Sequence, residues 1–122
     1  MALLVLIVDD NEQNAKLARD VLEAAGMSTL TAATAIDGLA LATTHQPHLV
    51  LMDLRLPDLD GVEAARQLRA NEATAHIPVV ALSATPAEEA DDWLRGECFS
   101  GYIEKPVDVL DLPARVRRHC SA

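Results

Sequence analysis

Acidic side chains stand at the ends of two apolar runs in this sequence. The run "LLVLIV" (3–8) stops at Asp9 and Asp10, and "HLVLM" (48–52) stops at Asp53. Carboxylates that lie within a few ångströms of each other repel, so either one of them holds a proton or a cation joins them. Several oxygen ligands with negative charge suit a hard divalent cation such as Mg²⁺. The acids therefore predict a Mg²⁺ site if the fold brings them together.

A hydroxyl group and an ammonium group follow two later apolar runs. Ser83 lies at the end of "IPVVALSA" (77–84), and Lys105 directly follows "GYIE" (101–104). A metal and a lysine around an oxygen nucleophile are what phosphoryl transfer requires, because the transferred group carries charge on its oxygens. Aspartate is a competent nucleophile for forming an acyl phosphate. Asp53, at the end of a buried run, is the candidate acceptor.

The hydrophobic pattern predicts the elements that must position these residues. Short apolar runs alternate with amphipathic segments, which indicates βαβ units and a parallel sheet with helices on both faces. The predicted strands are 3–8, 27–33, 48–53, 77–84 and a short strand within 101–106, and the predicted helices are 11–26, 36–46, 60–71, 86–96 and 108–120. Ligands of such sheets bind beyond the carboxyl ends of the strands. The acids, the serine and the lysine are predicted to share that edge.

Four local features of the pattern carry separate expectations. The second strand alternates polar and apolar residues, which suits a sheet edge. "DLDG" (58–61) predicts a turn and a helix cap rather than a calcium loop, because the ligand spacing of such a loop is absent. Pro113 falls inside the last predicted helix, so we expect an irregular or kinked first turn there. Phe99 is expected to be an exposed or half-buried anchor.

Composition and charge limit the class of protein. The chain has 122 residues and a formal net charge of −9. This length predicts one domain, residues 1–122, and this charge argues against direct nucleic-acid binding. The apolar start is too short for a signal peptide or a membrane span, and two cysteines are too few for a disulfide framework. We therefore expect a cytoplasmic protein without membrane association.

Four short motifs in this order resemble the receiver domain of two-component response regulators of the chemotaxis-regulator type. They are Asp9-Asp10, "LMDLRLPDLDG" around Asp53, "ALSA" with Ser83 and "GYIEKP" with Lys105. The resemblance extends from residue 3 to residue 119. It implies an α/β fold with a doubly wound, five-stranded parallel sheet of flavodoxin-like order 2-1-3-4-5, and five helices on both faces.

The resemblance implies that Asp53 accepts a phosphoryl group in a Mg²⁺-dependent reaction. Asp9, Asp10, Asp53 and the backbone carbonyl of Arg55 would hold the metal. The donor would be a sensor histidine kinase or a histidine phosphotransfer protein. The chain would be a signalling module rather than an enzyme, because it would catalyse only its own phosphorylation and dephosphorylation.

The resemblance also implies a conformational switch. Ser83 would hydrogen-bond one phosphoryl oxygen, and Lys105 would pair with another. Tyr102 would turn inward when Ser83 moves towards the phosphoryl group. A downstream protein would bind the face formed by residues 86–119, so phosphorylation would shift the population between two packings of that face.

Two other functions are compatible with part of the pattern. A Mg²⁺-dependent hydrolase can also use an aspartate nucleophile at a strand end, but such enzymes place a second carboxylate two residues later, where this chain has Arg55. A receiver-like scaffold would bind partners without phosphorylation, but such proteins commonly lose an acid or the lysine. The phospho-accepting module is therefore the leading hypothesis.

Overall fold

Five parallel strands form a single sheet among the residues that the computed structural model describes, which are 3–54, 56, 58, 61–83, 99–104 and 110–120. The strands are β1 (Leu4–Val8), β2 (Ser28–Ala32), β3 (Leu49–Asp53), β4 (Val79–Ser83) and β5 (Gly101–Glu104). Their order across the sheet is β2-β1-β3-β4-β5, and every neighbouring pair is parallel. The predicted sheet and its order are confirmed, including the edge position of β2.

Four helices lie in the described part of the chain. They are α1 (Glu12–Ala24), α2 (Ala35–His45), α3 (Gly61–Ala70) and α4 (Leu112–His119). Each overlaps a predicted helix, and the further helix predicted at 86–96 lies outside the described residues. No helix among those described is both long enough and apolar enough to cross a membrane.

The helices cover both faces of the sheet. On one face, α2 and α3 pack against residues such as Leu6 and Val50, and on the other, α1 and α4 pack against residues such as Ile7 and Leu51. Successive side chains of a strand point to opposite faces. Because both faces are covered, the central strands are apolar at nearly every position, as expected for a buried parallel sheet.

Two local features differ from the prediction. The last helix begins at Leu112, so Pro113 lies in its first turn. A proline is tolerated there because the N–H that it lacks would have no partner within the helix. Phe99 is buried, with 8% of its surface exposed, and joins the apolar cluster beneath α2 and α3 instead of serving as a surface anchor.

Candidate metal and phosphoacceptor site

The carboxyl ends of β1 and β3 bring three acids together. Asp53 is the last residue of β3, and Asp9 and Asp10 directly follow β1. The two strands are neighbours, and Val8 is paired with Met52 at this end of the sheet. One carboxylate oxygen of each acid lies within 4.8 Å of the corresponding oxygens of the other two. We call these three residues the acidic cluster.

The acidic cluster combines two buried acids with one exposed acid. Asp9 is 3% exposed and Asp53 is 5% exposed, whereas Asp10 is exposed to solvent. A carboxylate that has lost its hydration requires strong compensating partners to remain ionised. The cluster therefore offers closely spaced carboxylate oxygens that solvent ions can reach from the side of Asp10.

Backbone contacts on both sides fix the turn that carries Asp9 and Asp10. The N–H of Asp9 donates to the carbonyl of Ala32 at 3.0 Å, which ties the end of β1 to β2. The N–H of Asn11 donates to Oδ1 of Asp9 at 2.9 Å. Asn11 is itself the N-cap of α1 and accepts a hydrogen bond from the N–H of Asn14. The two acids are thus held between a strand end and a capped helix start.

The chain that follows Asp53 is fixed by its own contacts. The N–H of Leu54 donates to the carbonyl of Leu82 at 3.2 Å, which extends the pairing of β3 with β4 beyond the last strand residue. The side chains of Leu54 and Leu56 pack against the apolar cluster beneath α2 and α3. The described residues of this segment are therefore anchored to the sheet and to the core.

Asp58 joins the same segment to helix α2. Its Oδ1 accepts a hydrogen bond from the N–H of Ala35, and its Oδ2 accepts one from the N–H of Ile36, both at 2.9 Å. The sequence predicted a turn and a helix cap at 58–61, but it carried no signal that Asp58 would cap a helix that precedes it in the chain. Nothing in the spacing of these residues reveals this contact.

Ser83 and Tyr102 belong to the two strands beyond β3. Asp53 is paired with Leu82, so Ser83, the last residue of β4, lies at the same edge of the sheet as the acidic cluster. Tyr102 is paired with Ala81, is half-buried, and packs against the apolar cluster beneath α2 and α3. Ser83 thus lies on the strand next to the one that carries Asp53, whereas Tyr102 lies one strand further away.

The remaining site residues of the prediction, Arg55 and Lys105, lie outside the described residues. Their roles therefore stay predictions, as do the roles of Ser83 in binding a phosphoryl oxygen and of Tyr102 as a switch. What the structure provides is the position of the strand ends and the geometry of the acidic cluster.

A cavity of about 460 Å³ adjoins the acidic cluster between α1 and the carboxyl end of β2. Asp9 and Glu12 contribute acids to its lining, and Lys16 and Arg19 contribute bases. Asp9 thus belongs both to the lining of the cavity and to the acidic cluster.

A doubly wound sheet with acids at the carboxyl ends of its first and third strands is the arrangement of a receiver domain. The family model described as the response regulator receiver domain matches residues 5–117. The chain therefore belongs to the response regulator receiver domain family, and the resemblance noted in the sequence is confirmed.

Proteins with similar sequences include polar-differentiation response regulators. The response regulator DivK of Brucella ovis is 40% identical over 105 residues, which cover 86% of this chain and 85% of that protein. DivK of Brucella anthropi is 39% identical over the same length.

Solved structures resemble the chain over nearly its whole length. Chemotaxis protein CheY4 of Vibrio cholerae superposes with a TM-score of 0.91 over 98% of this chain and 99% of that chain, at 23% identity, and so shares the fold. The receiver domain of sensor histidine kinase PA1611 from Pseudomonas aeruginosa has a TM-score of 0.89 at 27% identity, with 100% of each chain covered. That structure contains a magnesium ion coordinated in its active site cleft.

Proposed function

We propose that this chain is a phospho-accepting receiver domain that takes a phosphoryl group onto Asp53 and thereby changes the face that binds its partner. The observation that carries the proposal is the acidic cluster, in which the buried carboxylate of Asp53 lies within 4.8 Å of those of Asp9 and Asp10. Membership of the receiver family supports it.

The donor atoms of the acidic cluster fit Mg²⁺. Three carboxylates supply only oxygen, which is the ligand type that this hard cation prefers. Asp9, Asp10 and Asp53 would hold the ion together with the backbone carbonyl of Arg55. When bound, Mg²⁺ supplies positive charge that neutralises the oxygens of the transferred phosphoryl group. The magnesium ion in the PA1611 receiver domain supports the same assignment here.

Asp53 is the nucleophile of the proposed reaction. One of its carboxylate oxygens attacks the phosphorus of a phosphohistidine on the donor protein, so an O–P bond forms while the N–P bond to the imidazole breaks. The product is an acyl phosphate on Asp53 and a histidine on the donor. Because Asp53 is paired with Leu82 of β4 and the preceding Met52 with Val8 of β1, the backbone of Asp53 is held before the donor arrives.

The other parts of the proposal follow the receiver family. Lys105 and Ser83 would bind phosphoryl oxygens. Tyr102 would turn inward on phosphorylation and so alter the 86–119 face, to which a downstream protein would bind. The donor would be a sensor histidine kinase or a histidine phosphotransfer protein in the cytoplasm. The domain would act as a signalling module and not as an enzyme on other substrates.

Intact-mass measurement after incubation with acetyl phosphate and Mg²⁺ tests the proposal. The wild-type protein is expected to gain one phosphoryl group, and chelation of Mg²⁺ is expected to prevent the gain. Asp53→Asn should stay unmodified, because an amide is a poor nucleophile. Asp20→Asn is the matched control, since it makes the same change of charge at an exposed position of α1 and should be modified like the wild type.

Two results would contradict the proposal. A wild-type protein that gains no mass with any phosphodonor in the presence of Mg²⁺ would favour a scaffold. Steady turnover of unrelated phosphomonoesters would favour a hydrolase.

A further inference from the structure

Two oxygens of one side chain bind the start of helix α2 from a distant part of the chain. Asp58 accepts hydrogen bonds from the N–H groups of Ala35 and Ile36, one to each carboxylate oxygen. Thr34, the N-cap of α2, accepts a third from the N–H of Asp37 at 3.2 Å. The N-terminus of α2 is thus capped both by its own N-cap residue, Thr34, and by Asp58, which follows strand β3.

Asp58 contacts α2 through a carboxyl group that accepts two hydrogen bonds. A carboxylate that accepts from backbone N–H groups makes charge-assisted hydrogen bonds. Its negative charge also lies at the positive end of the helix dipole. Because two bonds fix both the position and the orientation of the carboxylate, the contact restrains the backbone of residue 58 relative to α2.

Helix α2 is itself held firmly against β1. Gly38 lies so close to Val8 that a Cβ at this glycine would be 2.7 Å from Cγ2 of Val8. Val8 is fully buried and directly precedes Asp9. Helix α2 is therefore linked to two positions near the acidic cluster. Gly38 packs on Val8, which precedes Asp9, and the first turn of α2 binds Asp58, which lies five residues after Asp53.

We infer that Asp58 is a positioning residue for the Mg²⁺ site, because it ties a point five residues after Asp53 to a helix that also packs on β1. This inference rests on the proposed function and deepens it. Asp58 is not assigned as a ligand of the metal. Asp58 raises the affinity of the acidic cluster for Mg²⁺ by holding Asp53 in place relative to Asp9 and Asp10 before the ion arrives.

Calorimetric titration with Mg²⁺ of the purified full chain tests the inference. Asp58→Ala is expected to weaken Mg²⁺ binding roughly 10-fold, which is typical when a group that orients metal ligands is lost. Asp58→Asn should fall between the wild type and Asp58→Ala, since its amide keeps one acceptor oxygen. Circular dichroism establishes that each variant is folded.

Thr34→Ala is the matched control. It removes the other side-chain cap of the same helix but leaves the segment after Asp53 attached to α2. It should lower the stability of the fold, as the loss of a cap does, while Mg²⁺ affinity stays at the wild-type value. A purely structural role for Asp58 predicts instead that the two substitutions act alike on Mg²⁺ affinity.

Amide hydrogen exchange of the wild-type protein gives an independent readout. Coupling between two sites is reciprocal, so Mg²⁺ should slow exchange at the amides of Ala35 and Ile36. If Asp58→Ala and Thr34→Ala bind Mg²⁺ equally well, or if exchange at both amides is indifferent to Mg²⁺, the inference is wrong although the proposed function stands. A wild-type protein that binds no Mg²⁺ would overturn both.

Discussion

At the scale of single residues, the acidic cluster departs from what the stability of the fold alone would favour. Two buried carboxylates and one exposed carboxylate lie within 4.8 Å of each other, although like charges at this distance oppose folding. Departures of this kind from the rules of stable packing are expected at functional sites. The local structure compensates by fixing Asp9 through the N–H of Asn11 and through the pairing of β1 with β2.

The exposed member of the cluster allows a test that leaves the core intact. Asp10→Asn removes one anionic ligand from the proposed Mg²⁺ site without creating a cavity, because Asp10 is exposed. We expect Mg²⁺ affinity to fall by at least about 10-fold, because the loss of a ligand should weaken binding no less than the loss of a group that orients the ligands. Calorimetric titration measures the change, with Asp20→Asn as the control for net charge. Equal affinities of the two variants would argue against Asp10 as a ligand.

At the scale of elements, the position of α2 on the sheet depends on a residue without a side chain. Gly38 faces Val8, which is fully buried and cannot move aside without disturbing β1. Close packing of this kind lets the helix backbone approach the strand. The same helix binds Asp58 at its N-terminus, so its placement also affects the position of Asp58.

Gly38→Ala is expected to destabilise the protein although alanine favours helix. Overpacking a buried site costs about 1–3 kcal/mol, whereas replacing a helical glycine by alanine contributes up to about 1 kcal/mol. The net loss should therefore be about 1 kcal/mol in the free energy of unfolding, measured by urea denaturation.

A double-mutant cycle separates the two effects at Gly38. In a Val8→Ala background the crowding is relieved, so Gly38→Ala should become neutral or stabilising. If the substitution costs the same free energy in both backgrounds, crowding against Val8 is not its cause.

At the scale of the whole molecule, α4 connects the first helix to the last strand. Nη2 of Arg117 donates to the carbonyl of Ala25 at 2.7 Å, just beyond the end of α1. The ring of His119 lies against Gly101 at the start of β5, where a Cβ would be 2.5 Å from Cε1 of the ring. Helix α4 thereby holds together parts of the chain that are remote in sequence.

The position of His119 makes the stability of the molecule depend on pH. Burial, followed by the positive charges of Arg118 and Arg115, lowers the pKa of His119 from its ordinary value of 6.5. The unfolded chain therefore takes up this proton more readily than the folded one, so stability rises with pH in this window. The contribution is fully present above about pH 6.5 and is lost as the pH falls through the lowered pKa.

His119→Gln should reduce the dependence of the free energy of unfolding on pH in this range. Urea denaturation of both proteins between about pH 5 and about pH 8, where histidine changes its charge, measures the difference. The other acids and bases titrate in both proteins and cancel in the comparison. If the free energies of unfolding of the two proteins change with pH in parallel, His119 is not a source of the pH dependence of stability.

Much of the architecture could be predicted from local patterns. Apolar runs and amphipathic segments predicted all five strands and the four described helices, and the polar alternation of β2 predicted its edge position. The order of the strands came from the resemblance to receiver domains. The placement of Phe99 in the core could not be predicted, because it depends on packing against remote elements. The start of α4 at Leu112 agrees with a local signal that the predicted boundary did not use, since proline is favoured in the first turn of a helix.

The sequence by itself determined which residues stand at strand ends, including Asp9, Asp10 and Asp53, because hydrophobic periodicity is a local property of the chain. Only the tertiary structure decided that these carboxylates lie within 4.8 Å of each other, and that Asp58 caps α2 from the segment beyond Asp53. The physical reason is the same in both cases. The hydrophobic pattern of an element records which of its sides is buried. The partner of a polar side chain depends instead on which elements pack together in three dimensions, and hydrophobic periodicity does not encode that.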